Sequence, residues 1–239
     1  RQLLIMLLRA LFVLLVATLT GALLAALSGL LRRIWRTPEL ITSYLLSAAL
    51  IPVAEYLITG PANDPERNLL ATRSIPEAYW LPRLLMPSEL SLAFPFALLA
   101  AVLIYVAMFY TVRGYELRLF GLNDQFARYA GLSTGAHTVG GLAVSGALHG
   151  LCGGLMVLGT YHAAISGFTG GIGWNAIAVA LVARLHPLGA IASALVFSYL
   201  EAGSKAAMLH TDFTFELGTI IQGVIFLLVT AQFTFWRRR

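Results

Sequence analysis

The residues able to do chemistry in this chain are few and scattered. Its five histidines, His137, His149, His162, His186 and His210, fall in different segments, so no metal site is expected. Cys152 is the only cysteine, which excludes an internal disulfide and any cysteine-based metal cluster. There is no G-x-x-x-x-G-K-[ST] phosphate loop, no H-E-x-x-H pair and no G-x-S-x-G elbow. Lys205 stands in Gly-Ser-Lys-Ala, without the glycine spacing that cradles phosphates. No catalytic residue and no cofactor are therefore expected, and ATP hydrolysis by this chain is excluded.

Some polar residues nevertheless sit in apolar surroundings, where each needs a reason. Glu55, near one end of an apolar run, can anchor a loop or pore, or reach to the interface. Glu201 and Lys205 are spaced for a helical ion pair, with the glutamate first. His149 lies mid-segment and either bonds a neighbouring helix or lines a path. Trp174 and Asn175 open a short apolar segment. With Ser43 and Tyr44 and His149 they are the candidate contacts of a solute path. No acidic residue falls at the middle of any apolar run, which speaks against an ion-coupled secondary transporter.

The elements that must position these residues are membrane helices. Of 239 residues, 59% are hydrophobic and 11% charged, against about 25% charged in a soluble domain. Mean hydropathy is +0.81. The net charge of +5 is dispersed in short clusters, not gathered into a nucleic-acid-binding stripe. Seven stretches approach the roughly 20 apolar residues of a membrane span: A, 10–31; B, 40–59; C, 92–112; D, 138–160; E, 174–185, which is short; F, 188–209; and G, 217–235. The expected fold is an all-α polytopic membrane bundle forming a single domain over 1–239.

Arginine placement orients it. Clusters follow A (Arg32, Arg33, Arg36), C (Arg113, Arg118, Arg128), E (Arg184) and G (Arg237, Arg238, Arg239). If every segment crosses once, all four lie on one side, which is then cytoplasmic. The loop 60–90 falls outside; its prolines and the pair Tyr79–Trp80 predict an ordered cap at the interface. In segment D, Gly146, Gly150 and Gly154 recur every fourth residue and predict close approach of another helix. On the inner side, 114–132 holds a short amphipathic turn, with Phe126, Tyr129 and Ala130 on one side and Asp124, Gln125 and Arg128 on the other. Asn123 stands at the N-cap. Such a helix can rest on the membrane face or dock a partner.

Several runs together resemble the permease subunits of bacterial ABC importers for simple sugars and nucleosides, a branch that includes riboflavin permeases. They are Glu116-Leu-Arg-Leu-Phe-Gly-Leu-Asn123, Ala127-Arg-Tyr-Ala-Gly-Leu132, Ser145-Gly-Ala-Leu-His-Gly-Leu-Cys-Gly-Gly-Leu155, Gly173-Trp-Asn-Ala-Ile-Ala-Val-Ala-Leu181, His186-Pro-Leu-Gly189 and Pro38-Glu-Leu-Ile-Thr-Ser43. The resemblance implies a multi-pass protein of the bacterial cytoplasmic membrane that moves a nucleoside or related heterocyclic solute inward, with riboflavin or a simple sugar as alternatives. It implies a coupling helix of Asn123, Ala127, Arg128, Tyr129, Ala130 and Gly131 against a cytoplasmic ABC ATPase. A second permease subunit, alike or different, and an extracytoplasmic solute-binding protein complete the implied assembly, within membrane lipid and without nucleic acid. His149 and Cys152 depart from the small residues expected there. Relatives carry further N-terminal helices, so the chain is expected to be N-terminally shortened.

Overall fold

A computed structural model describes residues 2–66, 69–85, 87–210, 220–225 and 227–228. The elements are α1 (Gln2–Trp35), α2 (Glu39–Thr59), α3 (Ala93–Tyr110), α4 (Val112–Leu122), α5 (Asp124–Tyr129), α6 (Thr134–Met156), α7 (Ile172–Val182) and α8 (Pro187–His210). A 3₁₀ turn, Glu77–Tyr79, lies between α2 and α3, and a π-helical turn, Val157–Tyr161, extends α6. Segments A to F are thus helical. Of segment G, residues 220–225 and 227–228 are helical and the rest lies outside the described residues.

Among the described residues four helices are long and apolar enough to cross a membrane: α1, α2, α3, and α6 with its π turn. Their solvent is lipid: α2 and α3 bury no residue at all, and large apolar side chains such as Phe12, Leu23, Leu40 and Leu103 point outward. Without a hydrophobic force between helices in lipid, close packing has to hold them together.

The chain divides into two compact units, one of Arg1–Ala97 with Met108–Phe168 and one of Leu98–Ala107 with the described part of Thr169–Arg239. The first is organised on the pairing of α1 with α6, and glycine makes it. A Cβ on Gly146 would collide with Ala25 Cβ and the Gly21 carbonyl; one on Gly150 would strike the Ala17 carbonyl. A Cβ on Gly29 would lie 2.9 Å from Val139 Cα. The facing stripe on α1 is Ala17, Gly21, Ala25 and Gly29, also spaced by four. Two small-residue ridges thus bring two backbones into contact.

At one end of this unit, Ala10, Leu14, Leu81, Leu155 and Leu158 form a buried cluster. Over it sits the 60–91 segment, stitched to the chain after α6. Thr72 N donates to Ala164 O (2.9 Å), Ile75 N to His162 O (2.8 Å), Ser166 N to Leu70 O (2.9 Å) and Leu81 N to Leu158 O (3.0 Å). The expected cap is therefore a short antiparallel seam. Trp80 stacks on His162 with centroids 3.9 Å apart, and its indole N–H donates to Ile75 O at 2.8 Å. At the other end, the arginines after α1 line a cavity together with residues of α4, α5 and the start of α6.

In the second unit, α7 and α8 contact each other across a turn in which Arg184 and Leu185 take φ of 53° and 57°. His186 leans on Tyr105, centroids 5.4 Å apart. Glu201 and Lys205 form their ion pair at 2.7 Å. With 11 residues, α7 rises about 16 Å, roughly half of a 30 Å hydrocarbon core.

Candidate functional site

Of the six residues Asn123, Ala127, Arg128, Tyr129, Ala130 and Gly131, three lie in α5, Asn123 caps its start, and Ala130 and Gly131 follow its end. Asn123 ends α4 and begins α5. Its extended backbone (ψ 105°) breaks the helix, and its Oδ1 accepts from Phe126 N at 3.0 Å. Its own N–H still donates to Leu119 O at 3.2 Å. One asparagine thus satisfies groups of both helices. Asp124 and Arg128, one turn apart, pair at 2.9 Å and 3.4 Å. Gly131 closes α5 at φ +81°, the left-handed conformation that glycine adopts without cost. Leu132 N then returns to Ala127 O at 3.0 Å.

The aromatic side of α5 faces outward. Ala127 alone is buried, fully, whereas Phe126 and Tyr129 are exposed, Tyr129 to 91%. With Leu122, at 85%, they make an apolar surface that the described residues leave uncovered. Helical spacing puts the Asp124–Arg128 ion pair and the Phe126–Tyr129 aromatic pair on different sides of α5.

Sequence reasoning missed what holds α5 in place. Glu116 of α4 meets His137 of α6 at 3.2 Å, and His137 Nδ1 lies 2.8 Å from Ser133 O. Thr111 caps α4, accepting from Gly114 N at 3.1 Å. The Arg118 guanidinium lies over Phe109, 4.5 Å from its centroid. Glu116 and Arg118 stood in the resembling run, but a partnership 21 residues apart carries no local signal.

The solute-path candidates are placed less tellingly. Ser43 Oγ turns back on its own helix, donating to Leu40 O at 3.2 Å, and Tyr44 beside it is exposed. His149 Nδ1 bonds Ser145 O of its own helix at 2.8 Å, not a neighbouring helix. It shares with Ser145 and Cys152 an exposed face, turned from the glycine seam. Trp174 and Asn175 are exposed on the first turn of α7, in the second unit. Glu55 resolves in favour of the anchor: its carboxylate accepts from Ser166 Oγ at 2.5 Å and Gly167 N at 3.0 Å, tying α2 to the chain leading towards α7. Among the described residues no three His, Cys, Asp or Glu side chains come together. Beside the cap seam, burial first and then Arg83 hold the His162 imidazole below its ordinary value, partly offset by Leu158 and Glu89.

The family described as "Branched-chain amino acid transport system / permease component" matches residues 2–230. The probable riboflavin import permease protein RfuC of Treponema pallidum is 35% identical over 92% of this chain and 59% of its own length. The guanosine ABC transporter permease protein NupP of Bacillus subtilis is 27% identical over 92% of this chain and 64% of its own. The glucose ABC transporter permease protein TsgB13 of Haloferax volcanii is 29% identical over 92% and 60%. The chain spans about three-fifths of the length of these curated relatives. No solved structure matches. A match along nearly the whole chain, with four membrane-length helices among the described residues, decides the family: the chain belongs to the permease components of the branched-chain amino acid transport system type.

Proposed function

We propose that this chain is the membrane-spanning part of an ATP-driven importer that moves a nucleoside or related heterocyclic solute inward. The observation that carries the reading is α5: a capped, ion-paired helix whose only inward residue is Ala127 and whose Phe126 and Tyr129 stand uncovered. A helix so exposed, braced by α4 and α6, suits insertion into a groove of a separate ATPase. ATP binding to that partner would move α5 and bias the permease between inward-open and outward-open states, the partner contributing through unequal affinity for the two.

The solute class rests on the relatives. Riboflavin and guanosine, which two of them name, both present a fused heterocycle joined to a polyol or sugar. Asn175 and Trp174, and on the first unit Ser43, Tyr44 and His149, are the path residues of this proposal. An aromatic ring and an amide supply what a planar, hydrogen-bonding solute needs. The glucose relative supports a sugar as the second reading. The partners proposed are two ATPase subunits, a second permease subunit and an extracytoplasmic binding protein that docks on the 60–91 cap.

The test is reconstitution of the intact permease with its ATPase and binding protein in liposomes. ATP hydrolysis stimulated by guanosine or riboflavin, and not by glucose, is expected. Stimulation by glucose alone would replace the solute class, and uptake driven by an ion gradient without ATP would overturn the importer.

A further inference from the structure

The arginines after α1 are more than orientation marks. They line a cavity of about 720 Å³ between the α1–α2 connection and α4, α5 and α6, within the roughly 300–1,000 Å³ usual for ligand sites. Four arginines line it: Arg32, Arg33, Arg36 and Arg128. Two carboxylates also line it, and both are taken: Glu39 contacts Arg32, and Asp124 holds Arg128. Arg33 and Arg36 have no carboxylate partner among the described residues, which leaves two positive charges in excess.

The backbone is bent to put them there. Arg36 follows the last residue of α1 at φ 54°, where glycine is the usual occupant, and Pro38 prevents the helix from continuing. A non-glycine residue held in that conformation is a local cost that functional sites tend to carry. Arg33 lies close against Gly135, where an added Cβ would sit 3.1 Å from Arg33 Cδ. Thr37 supplies the polar complement: its Oγ1 is buried and has no hydrogen-bond partner among the described residues. Arginines without counter-charge, beside an unused hydroxyl donor, match the oxygens of a phosphate group.

We propose that this cavity binds a phosphate-bearing anion through Arg33, Arg36 and Thr37. The ligand is either the headgroup of an anionic phospholipid, since the cavity sits where two membrane helices end, or a soluble phosphate compound. Because Asp124 and Arg128 of α5 form one wall, its occupancy would bear on the stability of that helix.

The experiment uses the intact permease in phosphatidylcholine nanodiscs, with thermal unfolding as the readout. Short-chain phosphatidylglycerol is one probe; inorganic phosphate and pyrophosphate, against chloride of equal ionic strength, are the others. A rise in midpoint with phosphatidylglycerol alone identifies the headgroup, and a rise with the soluble anions identifies free phosphate. Either rise is expected to vanish in the Arg33→Gln/Arg36→Gln variant. Should that variant fail to fold, Thr37→Val is expected to weaken the response roughly tenfold, by loss of one bond to a charged group. Arg113→Gln, removing a charge away from the cavity, should leave it intact. No response to any probe, or an equal loss in Arg113→Gln, would overturn the proposal. So would an Arg33→Gln/Arg36→Gln variant that loses its ATPase while its phosphate response is unchanged, since an acidic protein segment would then be the occupant.

Discussion

A single side chain, Asn123, decides whether α4 and α5 are two helices or a frayed loop. Its Oδ1 is the cap acceptor at 3.0 Å, so Asn123→Ala is expected to cost about 1 kcal/mol of local helix stability. Asn123→Asp keeps an acceptor and should cost little. Hydrogen exchange at 124–130 checks both: faster in the alanine variant, near wild type in the aspartate variant. Equal exchange in all three would remove the cap from the account of coupling. His162 is the second decisive residue. Its folded value lies below the ordinary 6.5, so the folded cap favours neutral imidazole stacked on Trp80. An unfolded cap takes up the proton first as pH falls. The cap's stability is therefore complete above about pH 6.5 and declines below it, through the lower folded value. Proteolysis of 60–91 is expected to accelerate in that window, and His162→Asn, which tolerates the left-handed backbone, should abolish the pH dependence. The cap position of Asn123 was legible in the sequence because capping is local. The stack of Trp80 on His162 was not, because 82 residues separate the two.

Between elements, the contact that matters is α1 against α6, and the glycines divide cleanly by what surrounds them. Gly146, Gly150 and Gly154 lie on the seam, whereas Gly140 and Gly153 have nothing within 4 Å of an added Cβ. Gly150→Ala is thus expected to push α1 off α6 at a cost of about 1–3 kcal/mol. Gly153→Ala should be neutral or stabilising, by up to about 1 kcal/mol. Thermal unfolding of the two variants separates the readings; an equal loss in both would mean that α6 tolerates no side chain for reasons other than α1. The four-residue period on α6 was readable in the sequence, and its partner stripe on α1 has the same period. What the period could not supply was the pairing, since several apolar segments offered small residues. The bracing of α5 by Glu116 and His137 is of the same kind: each residue was visible, and the contact depended on α4 and α6 lying side by side.

For the whole molecule, the stretch after α6 decides on which side of the membrane Arg184 lies. In the first unit the alternation is fixed: the ends bearing Arg36, Asp124 and Thr134 gather round one cavity, and the ends bearing Glu55, Leu81 and Ser166 gather at the cap. The arginine rule assigns the first end to the cytoplasm. It assigns Arg184 to the same side only if the stretch from the cap through α7 makes a crossing. Yet α7, with 11 residues, supplies about half the thickness. Half-length helices preceded by irregular backbone are tolerated at membrane depth where protein or a water-filled path surrounds them. The glycines at 170 and 171, with φ of 46° and 79°, give α7 such a lead-in, beside Trp174 and Asn175. Cys152 is the only cysteine, so Cys152→Ala yields a background for single-cysteine labelling from either side. Ser74→Cys is expected to react with a membrane-impermeant maleimide added outside, and Arg36→Cys only after the inner face is opened. Leu185→Cys, in the turn after α7, should behave as Arg36→Cys does. Labelling of Leu185→Cys from outside would show that α7 re-enters on the cap side, and it would move Arg184 to the outer face against the charge rule.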